Sequence, residues 1–400
     1  MKNLFKYASL LMAAVMLFSC QGTIDPEGQE PGPDQPGNEV KYTLKLTSDR
    51  NLIQTNVDEA ALTVTLVPEA GYEYADFQVV TEDVIFFDGN NKVIDVPGFK
   101  FKASQAGDYV IWASYGTYIS EKITIKATDL EIPASPADPK PASTEFKTRV
   151  LLTEFTTVGC SACPSMKEIL HKLESDPEMA DKVVFTECHS GLVNSVADPC
   201  YLHDRNFEDY CAITGFPTVK LDLDYLLKDR SAINAAINDL AAAKNGVAPG
   251  ISVNSKNEQN NVVAKVTIKA AVDGNYRVGA FLLEDGIYAK QTSATANWMN
   301  THNNVIRYID AAYKTTYYGH PVAEIEAGKT ADIMFSWFLD DIWEYGSTKG
   351  AINGGIAWPE RVDENLHMVV FVSMNDGKGG YYVANVIDCP INGETPFEYR

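Results

Sequence analysis

The chain has 400 residues, 45% of them hydrophobic, and a net charge of −21 from 33 basic and 54 acidic side chains. That length exceeds one ordinary domain, and the hydrophobic share is enough for several folded cores. The acidic balance excludes recognition of a phosphate backbone, which needs a basic surface, so no nucleic-acid partner is expected.

The N-terminus reads as a targeting device. Lys2 and Lys6 precede the apolar run YASLLMAAVMLF (7–18), which is too short to span a bilayer and has the size of a signal-peptide core. Leu17-Phe18-Ser19-Cys20 resembles the lipobox of bacterial lipoproteins, so residues 1–19 are expected to be removed and Cys20 to carry the lipid. The membrane is then a partner through that anchor. Residues 20–40 supply an acidic, proline- and glycine-rich tether that cannot bury a core.

Three folded blocks follow, for a multidomain chain of α/β plus all-β class. Residues 41–128 alternate apolar and polar, as in ALTVTLV (61–67) and KITIKA (122–127), and are expected to form an Ig-like β-sandwich. Residues 129–146, with four prolines in EIPASPADPKPAS (131–143), read as a semi-rigid linker. Residues 147–247 alternate strand and helix patterns: RVLLTEFTT, CPSMKEILHKLES, KVVFTEC, FPTVKLD and RSAINAAINDLAAAK. They are expected to form a central thioredoxin-like α/β domain. Residues 248–400 return to strands in a C-terminal β-sandwich. Long loops are expected between 290 and 365, carrying Trp298, Trp343 and Trp358 as ligand anchors or as plugs of the sandwich ends.

The chemistry concentrates around VGCSACPS (158–165). A strand runs into Cys160, and a helix opens there, so Cys160 should feel unpaired helix amides that favour thiolate. Cys163 sits one turn inside, placed to resolve a mixed disulfide. Glu154 stands six residues before Cys160, the offset at which thioredoxins keep a buried acid, and is a candidate proton relay. GFPTVKL (215–221) resembles the thioredoxin cis-proline loop, making Phe216, Pro217 and Thr218 candidate substrate contacts. Gly159 departs from that pattern, since thioredoxins carry tryptophan there.

Apart from Cys20, six cysteines remain, an even number that suits an oxidising compartment. If Cys160 pairs with Cys163, then Cys188, Cys200, Cys211 and Cys389 are candidates for structural disulfides, with three connectivities open. A zinc site built from Cys188 and His189 with Cys200 and His203 lacks the paired spacing of such sites, so neither metal nor other cofactor is expected. His171, His302, His320 and His367 form no motif.

The lipobox, EFTTVGCSACP, GFPT, DGNYRVGAFLLEDG and THNNVIRYID together resemble the outer-membrane-protein-28-related lipoproteins of Bacteroidota, over about residues 146–400. HNNVIR (302–307) is the most family-specific stretch; Asn304 stands where relatives tend to have a second histidine. The resemblance implies an outer-membrane or surface location, periplasm-facing or outward, with adhesion suspected for some members. Two readings follow. In one, the chain is a thiol–disulfide oxidoreductase acting on exported thiol proteins. In the other, it is a non-enzymatic module binding surface ligands, and the cysteine pair is a structural bond.

Overall fold

The computed structural model describes residues 40–69, 76–191, 193–202, 204–352 and 357–400. The expected signal peptide, Cys20, all but the end of the tether, and His203 lie outside the described residues. The chain divides into two compact units, residues 1–42 with 68–76, and residues 43–67 with 77–400. The second holds nearly all the described architecture.

Ten short strands open it: β1 (Tyr42–Ser48), β2 (Leu52–Gln54), β3 (Ala60–Pro68), β4 (Gln78–Val80), β5 (Val84–Asp88), β6 (Val93–Ile94), β7 (Lys100–Phe101), β8 (Gly107–Tyr115), β9 (Tyr118–Ile119) and β10 (Ile123–Thr128). They form a four-stranded sheet (β1-β3-β4, with β7 on β3) and a six-stranded sheet (β2-β10-β8-β5-β6, with β9 on β8). Alternation buries Leu44, Leu46, Leu62, Val64, Ile111, Ala113 and Ile125, which fits the expected two-sheet sandwich.

The proline-rich segment after β10 is extended, but it is not a free spacer. Ser135 hydrogen-bonds Thr267 at 2.6 Å, the Ala134 carbonyl accepts from Asn254 at 2.8 Å, and Asp138 pairs with the buried Lys269 at 2.8 Å. Leu130 and Ile132 pack on a small core of Leu52, Val263 and Met334. Asn51 adds reciprocal bonds to the Met334 backbone. The segment therefore lies fixed along the C-terminal strands rather than holding the bodies apart.

The central block differs most from expectation. Its strands are β11 (Val150–Thr156), β12 (Val183–His189), β13 (Thr218–Leu221) and β14 (Tyr225–Leu226). Around them lie helices α1 (Cys163–Ser175), α2 (Pro177–Ala180), α3 (Arg205–Tyr210) and α4 (Ile233–Ala243). Next come β15 (Gly250–Glu258), β16 (Asn261–Lys269), β17 (Gly274–Glu284), β18 (Ile287–Tyr288), β19 (Thr301–His302), β20 (Val305–Asp310), β21 (His320–Ile325), β22 (Thr330–Phe338), α5 (Leu339–Ile352), β23 (Leu366–Asn375), β24 (Tyr381–Pro390) and β25 (Gly393–Thr395). The span 290–365, read as loops, thus holds four strands and a helix.

There is no distinct central thioredoxin-like α/β domain. One nine-stranded sheet runs β14-β13-β11-β12-β20-β17-β23-β24, with β21 also on β17, so central and C-terminal strands share it. The junction is the parallel pairing of β12 with β20, where Glu187 faces Val305 and donates its N–H to the Asn304 carbonyl at 2.7 Å. One face carries a continuous core drawn from both blocks, with Leu151, Phe155 and Cys188 beside Phe281, Ile306 and Phe371. The Phe207 ring of α3 lies 5.8 Å from both Phe155 and Phe281. The other face is covered at one end by α1 and α4, through Met166, Leu170, Leu173, Ile233 and Ile237. At the other end the sheet β22-β16-β15-β25 closes the C-terminal sandwich. β11 (VLLTEFT) is buried on both faces, so Thr153, Glu154 and Thr156 are enclosed along with its apolar residues.

This shared core gives a direct expectation. A fragment of residues 147–247 would expose the β12 edge and half of the aromatic core. Expressed alone, it should show no cooperative thermal transition by near-ultraviolet circular dichroism, whereas residues 129–400 should retain one. A cooperatively folding 147–247 fragment would show that the central block is autonomous after all.

Candidate functional site

Cys160 and Cys163 are joined in a disulfide at the start of α1. The Cys163 N–H donates to the Cys160 sulfur at 3.1 Å, satisfying a helix amide that the uncapped Ala162 leaves open. Ser161 and Ala162 are exposed, Cys160 is 6% exposed and Cys163 1%. Both cysteines are thus buried, Cys163 the more completely.

Three side chains remote in sequence hold the turn. The Val158 N–H donates to Asp198 at 2.9 Å, Gln291 donates to the Cys160 carbonyl at 2.9 Å, and Asn194 donates to the Gly159 carbonyl at 3.0 Å. A Cβ on Gly159 would lie 2.3 Å from the Val193 carbonyl oxygen, so no larger residue fits there without a shift. That close approach accounts for the departure from tryptophan.

Glu154 is 1% exposed, and its Oε1 has no hydrogen-bond partner among the described residues. In the parallel β11–β12 register it sits beside Glu187. Burial, with the Glu187 charge adding to it, pushes the Glu154 carboxyl up to about 8. Burial would raise Glu187 as well, but Lys167, His189 and His302 outweigh it and hold that carboxylate well below its usual range. Behind this pair runs a buried polar chain. Asp198 Oδ2 meets His189 Nδ1 at 2.8 Å, His189 Nε2 meets Glu187 Oε2 at 3.1 Å, and Lys167 Nζ meets His302 Nδ1 at 3.0 Å. Burial would lower His189, yet Asp198 and Glu187 raise it to about 9. A cavity of about 300 Å³ opens over the cluster, lined by Glu154, Lys167, Glu174, Glu187, Trp298 and Asn304.

The Phe216–Pro217 peptide bond is cis. β13 runs antiparallel to β11 with Thr218 opposite Phe155, so Phe216, Pro217 and Thr218 lie at the sheet end from which the Cys160 turn departs. Phe216 packs partly into the shared aromatic core.

The expected staples are not formed: Cys188, Cys200, Cys211 and Cys389 are free, buried thiols. They lie buried in separate apolar surroundings. Cys188 and Cys211 lie in the aromatic core, Cys200 packs with Val158, Ala289 and Val305, and Cys389 lies between the C-terminal sheets. Burial pushes the Cys211 thiol up to about 12 and raises the other three as well. Of the tryptophans, Trp343 lies on α5 and packs with Trp358 in the sandwich core, while Trp298 is 38% exposed and stacks on His171 at 4.3 Å.

Cys160, Cys163 and Glu154 are legible in the sequence, whereas Lys167, Glu187, Asn194, Asp198 and Gln291, and the place of His189 and His302 in this cluster, are not. One local signal was available: Glu187 and His189 stand two apart in the strand VVFTECH, hence on one face. Asp198 and Gln291 carried no comparable signal.

A family model described as "Outer membrane protein Omp28" matches residues 204–345, a span that excludes the Cys160–Cys163 pair. No curated protein matches the chain. Among solved structures, HBP35 of Porphyromonas gingivalis is similar at 17% identity and a TM-score of 0.45, covering 64% of this chain and 78% of that one. A protein from Agrobacterium tumefaciens is similar at 14% identity and a TM-score of 0.39, covering 65% of this chain and all of that one. Among the described residues, no helix is long and apolar enough to cross a membrane.

The raised Glu154 carboxyl ties stability to pH. In the folded state it keeps a proton that the unfolded chain releases above about 4.5, so its contribution is fully present below that pH and is lost as pH rises through about 8. Glu154→Gln cannot ionise. Its denaturation midpoint should fall less than that of the native chain between about pH 5 and about pH 9. Parallel pH profiles for the two proteins would contradict a buried, protonated Glu154.

Proposed function

We propose that this chain is an outer-membrane or cell-surface lipoprotein whose Cys160–Cys163 pair exchanges disulfides with exported proteins. The match over residues 204–345 supports the location, and the lipobox at Cys20 supports the anchor. The observation that carries the exchange reading is the place of the Cys160–Cys163 bond at the start of α1, directly flanking the exposed Ser161 and Ala162.

In the reduced protein, the Cys160 thiolate attacks one sulfur of a substrate disulfide. A mixed disulfide forms, and the other substrate sulfur leaves as thiolate. The amides at the start of α1 favour the Cys160 thiolate. Cys163 then loses its proton to Glu154 in that carboxyl's ionised form, the minor form near neutral pH, and attacks the Cys160 sulfur, releasing the second substrate thiolate. Two electrons pass to the substrate, and the Cys160–Cys163 bond is the oxidised product. A carboxyl titrating near 8 both accepts and releases a proton close to neutral pH. Phe216, Pro217 and Thr218 offer backbone to an extended substrate segment at the same end of the sheet.

A second reading, ligand binding with the cysteine pair as a structural bond, is favoured by a cavity of about 710 Å³ lined by Arg307, Trp337, Tyr345 and Trp358, where Arg307 Nη2 has no hydrogen-bond partner among the described residues. One experiment separates the two. Cys163→Ser should trap mixed disulfides with exported proteins, which Cys160→Ser should not. The wild-type bond should equilibrate with glutathione-range buffers. A bond reduced only below about −300 mV, with no trapped adduct, would leave the binding reading.

A further inference from the structure

We propose that His189, Cys200 and His302 form a buried zinc site, one that does not depend on the disulfide exchange proposed above. The three come from separate segments: His189 ends β12, Cys200 follows in the next loop, and His302 ends β19. No sequence spacing announces them, yet their donor atoms lie within 4.8 Å of one another. All three residues are buried, at 0%, 0% and 1% exposure.

Two imidazoles and a thiolate are a donor set that suits tetrahedral zinc, and closing these atoms onto one ion needs about 1 Å of side-chain movement. The surroundings have the form of an outer ligand shell. Asp198 Oδ2 holds His189 Nδ1 at 2.8 Å, the arrangement that orients metal-binding histidines, while Nε2 faces Glu187 Oε2 at 3.1 Å, a contact the ion would replace. The other oxygen of the same carboxylate accepts the Cys200 N–H at 2.8 Å, so one residue positions two of the ligands. Glu187 Oε2, 3.1 Å from His189 Nε2 and 3.6 Å from His302 Nδ1, supplies negative charge beside both rings.

Lys167 is the competing cation. Its ammonium lies 3.0 Å from His302 Nδ1 and 3.9 Å from Glu187. Lys167 also lines the 300 Å³ cavity, which gives its side chain room to withdraw when the ion enters. Binding releases the Cys200 thiol proton to solvent, as thiolate ligation requires.

The test uses the full chain, non-reduced so that Cys160 and Cys163 stay bonded, stripped with a chelator and titrated with zinc or cobalt chloride. One equivalent should bind, and the cobalt form should show a thiolate-to-cobalt charge-transfer band that Cys200→Ser lacks. Asp198→Asn should weaken zinc by about 10–100-fold. Lys167→Met should tighten it about threefold through loss of a like charge, a gain that misfolding cannot mimic. A cobalt spectrum without the thiolate band, or equal zinc affinity in wild type and in Cys200→Ser with His302→Gln, overturns the proposal.

Discussion

The Asp198 carboxylate is the constraint on which the cluster depends. It accepts the N–H of Val158 ahead of the cysteine turn, the N–H of Cys200, and His189 Nδ1. It is buried, and burial alone would raise its pKa. His189 and the two amides outweigh that and keep it below the ordinary range. A buried carboxylate that loses its partners is costly, because an uncompensated charge remains in a low dielectric. The three partners therefore stay together, and with them the start of α1, the end of β12 and the loop that follows.

That arrangement exists because the sheet is continuous. β12 pairs with β11 on one side and β20 on the other, so its C-terminal end lies between the cysteine turn and the His302 segment. Had the central block closed on itself, the β12 edge would face solvent, and Glu187 and His189 would meet water rather than Lys167 and His302. The aromatic core on one face couples the same two blocks through Phe155, Phe207, Phe281 and Phe371. Packing and electrostatics thus bind the same two parts of the chain.

Two carboxylates, Glu154 and Glu187, stand side by side in this setting and titrate in opposite directions. Both are desolvated, but Glu187 has cations at its oxygens while Glu154 Oε1 has no partner among the described residues. Environment rather than residue type separates their roles, as it does wherever neighbouring acids divide proton-holding from charge-bearing work. Gln291 and Asn194 complete the enclosure by occupying the carbonyls of the cysteine turn.

The sequence by itself determined the local elements. The β-rich pattern of β11, the helix spacing of Met166, Leu170 and Leu173, the alternation of β3 and β10, and the closely spaced Cys160 and Cys163 are short-range patterns legible without the fold. Only the tertiary structure decided what covers each face. Alternation does not name a strand's neighbour, so the pairing of Glu187 with Val305 was invisible, and a separate α/β domain followed from reading the central elements alone. The same limit applies to the cysteines: an even count suggested staples, but pairing needs proximity and geometry that sequence order does not carry. Asp198 and Gln291 acquire their meaning from backbone groups 40 and 131 residues away, a separation that only the closed fold brings within hydrogen-bond reach.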